Sequence, residues 1–439
     1  MGSELVNAQP ESRAQAAPAQ RTVLLIAYHF PPLRGSSGMQ RTLRFAQHLP
    51  EFGWRPIVLS ITPRAYEETA QVAGNEVPAG LAVHRAFGFN AATQLAIFGR
   101  YPKALALPDR WATWRFWAVP KALKLIREEG VDAIWSTFPV STAHLIGLEL
   151  AKRTGLPWIA EFRDPMWQHD WPPDPTANRV WLDLEKKIFA RADWTVFTAP
   201  SAIDLYGERF PHVAAERRVL IENGFDEETF RRAEQDDAAS DRTRARRITL
   251  LHSGIIYRSE RDPTHFFAAI ASLKRQGRIS AEHLQIVLRA SGTESDYAAD
   301  LKRLDIADIV QLEPAIDYMA ALREMLTVDG LLILQASNCN AQVPAKLYEY
   351  LRARRPILAL TDPVGDTART LERAGTGLIA RLDNVAEIET ALLQLIGQIE
   401  SDTAHVLTRD AVARYSRAAK TEELARLLAR AVREKPAAR

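Results

Sequence analysis

Short apolar runs alternating with amphipathic stretches fill this chain from about residue 21, and the alternation starts afresh near residue 248. In the first half the runs lie near 23–28, 56–61, 81–85, 132–136, 157–162, 194–198 and 218–222, with helical patterns notably at 111–129, 143–153 and 179–192. The second half repeats the scheme through ITLLHSG, LQIVLRA, IVQL, GLLILQA, PILAL and GLIA. Such runs read as strands buried on both faces, and strands separated by helices give parallel sheets with right-handed crossovers. At 439 residues the chain is too long for one hydrophobic core. The fold class is therefore α/β, with two Rossmann-like domains facing a central cleft.

The pattern divides the chain. Residues 1–20, rich in Ala, Gln and Pro and without the apolar core of a signal peptide, read as a disordered leader. Residues 21–230 form the N-terminal domain, the charged stretch 231–247 a linker, 248–402 the C-terminal domain, and 403–439 a closing helical segment. The one cysteine, Cys339, excludes an intrachain disulfide framework and a Cys-based zinc site, and fits a reducing compartment. No apolar run is long enough to span a bilayer, so a cytoplasmic place is expected. A net charge of +2 and the lack of any nucleic-acid module leave nucleic acid outside the expected partners.

The stretch QVPAKLYEYLRARRPILAL (342–360) carries the most chemistry. Pro344 suits a helix start and Pro356 ends the helix before a buried strand. Lys346 and Glu349 stand three apart on one helical face. An ammonium can meet a phosphate while a carboxylate accepts from a ribose diol, and a surface ion pair is the alternative. Near the N-terminus, the run VLLIAY leads into HFPPLRGSSGMQR and then a helical pattern over 42–52. A strand, a loop bearing Gly35 and Gly38, and a helix together present backbone N–H groups to an anion, although the loop is neither GxGxxG nor a Walker loop. Ser253-Gly254 closes the first strand of the second half, where backbone N–H groups can approach a ligand, and Arg258 and Arg261 follow. Arg163-Asp164 is a charged pair where an apolar strand meets the cleft.

In order and spacing, YHFPPLRGSSGMQR, WIAEFRDPMW, IENGFD, LLHSGIIYRSERDP and VPAKLYEYL resemble the retaining glycosyltransferases of family 4, which have the GT-B fold. The resemblance covers nearly the whole chain after about residue 20. It implies a glycosyltransferase of hexosyltransferase type, from bacterial glycan or polysaccharide biosynthesis. Such an enzyme moves a sugar from a nucleotide-diphosphate donor, UDP-sugar by family frequency, to a glycan or lipid-linked acceptor, with retention. No metal or other cofactor is implied, because Arg261 and Lys346 would neutralise the leaving diphosphate. Glu349 matches the second glutamate of the family's paired-glutamate motif. The first falls on Ala341, so Asn340 or Gln342 would have to hold the donor sugar. Relatives carry a histidine near the position of Thr137, and His144 is the nearest histidine here. Asp164 is expected to face donor or acceptor sugar, with Arg163 as partner or ligand. The closing segment would cross back to brace the first domain. A sugar-nucleotide epimerase on the same fold, or a non-catalytic homologue serving as a binding partner, are the alternatives; Ala341 motivates the second.

Trp111, Trp114 and Trp117 share one broad helical face near Lys103, Arg110, Arg115, Lys121 and Lys124. Indoles beside basic residues suit a membrane interface, which would allow peripheral inner-membrane contact, while aromatic residues at helical spacing also form core.

Overall fold

The computed structural model describes residues 20–34, 37–69, 77–96, 98, 100–101, 103–237, 247–292 and 294–435. The expected leader, apart from Gln20, lies outside the described residues, as do Gly35 and the linker positions 238–246. The first domain holds β1 (Arg21–Ile26), β2 (Trp54–Ile61), β3 (Ala82–Ala86), β4 (Ala133–Thr137), β5 (Trp158–Phe162), β6 (Trp194–Phe197) and β7 (Arg218–Leu220). The second holds β8 (Ile248–Ser253), β9 (Leu284–Arg289), β10 (Val310–Glu313), β11 (Gly330–Leu334), β12 (Ile357–Leu360) and β13 (Leu378–Ala380). The sheets are parallel, in the orders β3-β2-β1-β4-β5-β6-β7 and β10-β9-β8-β11-β12-β13. In each, the order reverses beside the domain's first strand, between β1 and β4 and between β8 and β11. Ligands of open α/β sheets sit at the carboxyl ends of strands at that switch point.

Alternation along β1 explains why its run is continuously apolar. Leu24 and Ile26 face a core with Trp114, Ala118 and Ile146, whereas Val23 and Leu25 face the opposite layer with Leu43, Trp54 and Trp135. That second layer is completed from the far end of the chain by Leu424, Ala425, Leu427, Leu428 and Ala431. These lie on the helix Arg417–Glu434, which returns to the first domain as expected; the short helix Arg409–Ala413 before it corrects the rest of that expectation, because it stays with the second domain, its Val412 buried in the core that holds Leu347. Lys435 adds an ion pair to Asp193 at 2.8 Å.

The stretch expected as linker begins inside a helix, Glu227–Asp237. Phe230 and Ala233 of that helix sit in the core of the second domain with Leu322, Met325 and Leu347. Its many charges, which read as irregular chain, are met from another helix: Arg352 binds Glu227 at 2.6 Å and Glu234 at 2.9 Å.

The chain crosses between domains near 224 and again near 416, and the crossings bond to each other. Phe225 N–H donates to Tyr415 O at 3.1 Å, and Arg417 N–H donates to Phe225 O at 2.8 Å. Gly224 makes this possible by close approach: a Cβ there would lie 2.5 Å from Tyr415 O.

Of the three tryptophans, Trp114 is fully buried, and Trp111 is nearly so, with its Nε1–H donating to Ala65 O at 3.0 Å. Trp117 is 44% exposed and packs edge-to-face on Phe87 at 4.8 Å. The core reading therefore describes the first two. Among the described residues, no helix is long and apolar enough to cross a membrane.

If the terminal helix completes the first core, Leu428→Ala should cost about 2–5 kcal/mol, the usual range for emptying a buried leucine site. Urea unfolding followed by tryptophan fluorescence measures this; an unchanged midpoint would mean that the helix does not brace the domain.

Candidate active site

A cavity of about 150 Å³ opens between the domains, lined by Arg163, Asp164, Thr198 and Asn223 on one side and by Arg261, Gln335, Cys339 and Gln342 on the other. Each lining group follows the carboxyl end of a strand or sits on the loops beside it, as the switch-point rule requires.

On the first-domain side, the loop after β5 is fixed from below. Met166 N–H donates to Tyr206 Oη at 2.9 Å and Trp167 N–H to Glu185 Oε1 at 3.2 Å. Glu185 is fully buried, and Arg209 binds it at 2.7 Å. Thr198 Oγ1–H donates to Arg163 O at 2.7 Å. The Arg163 guanidinium donates to Phe138 O at 2.6 Å and points Nη2 at His29 Nδ1, 3.5 Å away. Burial and that neighbouring cation lower the His29 pKa to about 3, so its ring is neutral. Arg163 also explains Gly38: a Cβ there would lie 1.6 Å from Arg163 Nη1. The guanidinium thus rests against the start of the helix Ser37–His48. Asp164, next along, is exposed to the cleft.

Arg41, on the same helix, went unnoticed in the sequence. Its buried guanidinium pairs with Glu161 at 2.8 Å and donates to Ile221 O at 2.7 Å and Glu222 O at 2.8 Å. Glu161 also receives the Thr137 hydroxyl at 2.9 Å. This corrects the expectation for Thr137: it is buried, and its hydroxyl is committed to the protein. His144 is corrected likewise. It is fully buried among Phe138, Trp158 and Phe162, with Nδ1 2.8 Å from Ser136 Oγ. Burial lowers its pKa to about 3.

On the second-domain side, the helix Lys346–Ala353 ends at Arg354 in the left-handed conformation, φ 56°, before Pro356. Lys346 and Glu349 share its face, yet each has another partner. Lys346 Nζ donates to His252 Nε2 at 3.2 Å, and Glu349 Oε1 accepts from Tyr318 Oη–H at 2.8 Å. His252 is buried, and its Nδ1 lies 3.0 Å from Leu332 O, an atom that can only accept. The ring proton therefore sits on Nδ1, and the Nε2 lone pair faces Lys346. Gly254, at φ 119°, leaves the room this needs: a Cβ there would lie 2.9 Å from Lys346 Nζ. Burial and the Arg261 guanidinium lower the Lys346 pKa to about 7, against the pull of Glu349. Burial raises that of Glu349, opposed by Tyr318, Arg417 and Lys346.

Two expectations need correction here, and a third is narrowed. The backbone N–H groups of Ser253 and Gly254 are both used within the protein, by Tyr350 Oη at 2.9 Å and Arg289 O at 2.9 Å. The two residues contribute space at the strand end. Arg258 turns to Tyr297, 5.3 Å from the ring centre, and to Asp300 at 4.0 Å, away from the cavity that Arg261 lines. Of the two amides offered in place of the missing glutamate, Gln342 lines the cavity, while Asn340 is turned to Asp362 at 2.7 Å. Gln335, also missed, folds the loop into place by donating to Cys339 O at 2.9 Å and Gln342 O at 3.0 Å.

The structure therefore brings together Arg163, Asp164, Arg261 and Gln342 in one cavity, with Lys346 and Glu349 on the helix directly after its lining residues Val343–Ala345. Chemically this is a cation and an amide, Arg261 and Gln342, facing the Arg163–Asp164 pair across a narrow gap.

Residues 37–224 match the family described as Glycosyl transferase 4-like domain. A comparison with curated proteins found no match. Among solved structures, the chain is similar to a sucrose-phosphate synthase from Thermosynechococcus elongatus, 15% identical, covering 93% of this chain and 98% of that one, with a TM-score of 0.60. It is also similar to HepE from Anabaena, crystallised with UDP and glucose, 15% identical over 94% and 100% of the two chains, with a TM-score of 0.58. An α,α-trehalose-6-phosphate synthase from Burkholderia multivorans, 12% identical, covers 96% and 99% with a TM-score of 0.61. The fold is GT-B.

Lys346 has a cost in the empty protein. A lysine with a depressed folded pKa is held charged at a penalty that is full below about pH 7 and vanishes as pH rises toward the ordinary lysine value. Lys346→Met should therefore raise the melting temperature of the ligand-free protein by a few degrees at pH 6.5 and hardly at all near pH 10. Calorimetry across pH checks this; a uniform change would tie the lysine to packing alone.

Proposed function

We propose that this GT-B chain, with its glycosyl transferase 4-like domain, moves a sugar from a nucleoside-diphosphate donor to a hydroxyl of a glycan or lipid-linked acceptor. The observation that carries the reading is the convergence of Arg261 and Lys346 at the carboxyl edge of the second sheet, opposite Arg163 and Asp164 of the first. Two neighbouring cations, one already short of a proton near neutrality, suit a ligand with concentrated negative charge. Glu349, three residues beyond Lys346, is the acceptor offered to ribose hydroxyls, held meanwhile by Tyr318. A UDP-sugar is the favoured donor, in keeping with the UDP bound by the similar HepE.

In this reading the bond from the anomeric carbon to the diphosphate oxygen breaks toward Arg261 and Lys346, leaving oxocarbenium character on the sugar. The acceptor hydroxyl adds to the same face, and its proton passes to the leaving phosphate oxygen, so configuration is retained. Asp164, open to the cleft, orients the acceptor, and Gln342 takes the sugar contact that Ala341 cannot make. No metal is needed, because the side-chain cations meet the developing charge in a confined site, where electrostatic stabilisation is strongest.

Arg261→Ala and Lys346→Ala should each lower turnover by about 10²–10³-fold, the scale of losing one preorganised charge contact. Glu349→Gln should weaken donor binding, and chelator should leave turnover unchanged. The assay is release of nucleoside diphosphate with and without acceptor, with product analysis. Full activity in both cation variants would reject the reading, and conversion of the donor to an isomer without acceptor would replace it with epimerisation.

Peripheral membrane contact is proposed for one face only. Phe87, Phe116 and Trp117 are 40%, 55% and 44% exposed, with Arg115 stacked on Phe116 at 4.7 Å. Flotation with anionic vesicles at low salt should carry the protein upward and Trp117→Ser should reduce it; a wild-type protein left at the bottom would end this proposal.

A further inference from the structure

Asp366 opens the helix Asp366–Ala374 of the second domain and is fully buried, yet the donors on its carboxylate come from the first domain. Its Oδ2 accepts from the Ser201 hydroxyl at 2.6 Å and from the Ser201 N–H at 3.0 Å, with Oδ1 3.3 Å from the same N–H. Ser201 is the second residue of the helix Pro200–Arg209, whose own cap position, Ala199, has no side chain that can accept. The first N–H groups of a helix lack partners within it and are usually met by a Ser, Thr, Asp or Asn just upstream. Here the missing cap arrives from across the domain boundary. Arg369, on the next turn of the Asp366 helix, stands 3.8 Å from Oδ1. At its far end the same helix reaches back again, through Arg373 to Glu222 at 2.7 Å.

The main chain at Asp366 is tied to the loop that lines the cavity. Asp366 N–H donates to Asn340 O at 2.8 Å. Asn340 Nδ2–H donates to Asp362 at 2.7 Å, and a Cβ on Gly365 would lie 2.9 Å from Asn340 Oδ1. Thr367, the next residue, bonds to Gln335, which itself holds Cys339 O and Gln342 O. One turn of helix thus touches the first domain with its side chain and the loop 337–345 with its backbone.

We propose that Asp366 is a positioning residue that couples closure of the two domains to the seating of the loop carrying Asn340 and Gln342. With the cleft shut, the carboxylate caps the first-domain helix and the loop is pinned. With it open, the carboxylate exchanges its two Ser201 donors for water, and the turn at 362–367 relaxes together with the loop. Naming that loop as the holder of donor sugar rests on the transfer reading above, but the coupling itself does not.

The test needs no nucleotide. Ser201→Asp sets a second carboxylate against the first, and should enlarge the radius of gyration in small-angle scattering. It should also speed amide hydrogen exchange in peptides spanning 337–345 by about tenfold, the scale of losing a hydrogen bond to a charged group. Exchange in β1 reports whether the fold is intact. Adding Asp366→Asn to Ser201→Asp should restore compactness and protection, because the amide can donate to the new carboxylate. Unchanged scattering and loop exchange in Ser201→Asp would overturn the proposal, as would opening without any change at 337–345. Ser201→Ala, which keeps the N–H and removes one donor, should lie between wild type and Ser201→Asp. Should no nucleotide sugar prove to be a substrate, the transfer reading falls while these measurements still decide the coupling.

Discussion

The guanidinium of Arg41 ties three parts of the first domain to one point. Through Glu161 it holds β5 and, by way of Thr137, the end of β4; through the carbonyls of Ile221 and Glu222 it holds the start of the first crossing; and its own helix begins at the glycine loop. Burying such a pair brings little net stability, but removing one partner leaves a charge stranded in the core at about 3–5 kcal/mol. The pair therefore acts as a constraint on geometry. With the first half of the cleft made stiff in this way, relative movement of the halves falls to the chain beyond Glu222, where the two crossings bond to each other at Phe225 and Asp226 is paired with Arg44 at 2.6 Å.

The second half of the cleft is arranged on the opposite principle. Lys346 has a neutral histidine and an arginine for neighbours, and the carboxylate on its own helix is engaged by Tyr318. A protein selected for stability alone would place an acid there or dispense with the lysine. Positive charge left without full compensation is what distinguishes a preorganised electrostatic site from ordinary ion pairing, and it costs stability.

The strands were legible because a parallel strand covered on both faces must be apolar throughout, and each of the runs read from the sequence coincides with a strand to within a few residues. Lys346 and Glu349 were legible as a pair because helical spacing alone puts them on one face. What failed was whatever depends on a partner distant in sequence. The Ser253 and Gly254 amides looked free until Tyr350 and Arg289 reached them, and the helix at Glu227–Asp237 looked like linker because Arg352, which matches its acids, lies more than a hundred residues away. His144 stands on a helix buried on nearly every side, so no polar face marked which way it points. Gly38 was read as part of a loop presenting backbone N–H groups to an anion, whereas the space at Gly38 is filled by an arginine head and that at Gly224 by a carbonyl, both brought there by the fold.

The helix Arg417–Glu434 supplies five buried residues to the first domain's core. On the ribosome, therefore, that domain emerges first and is finished last. Val23, Leu25 and Trp54 wait with their apolar layer only partly covered, by Leu43, Phe45 and Ala46, while the second domain is made. Domains generally fold as units from the N-terminus during synthesis, and this topology inverts the order. The second domain closes its sheet from residues 248–380, whereas the first depends on the helix Arg417–Glu434 to cover it. A stop before residue 417 would therefore leave the first domain without the layer that Leu424, Leu427 and Leu428 supply.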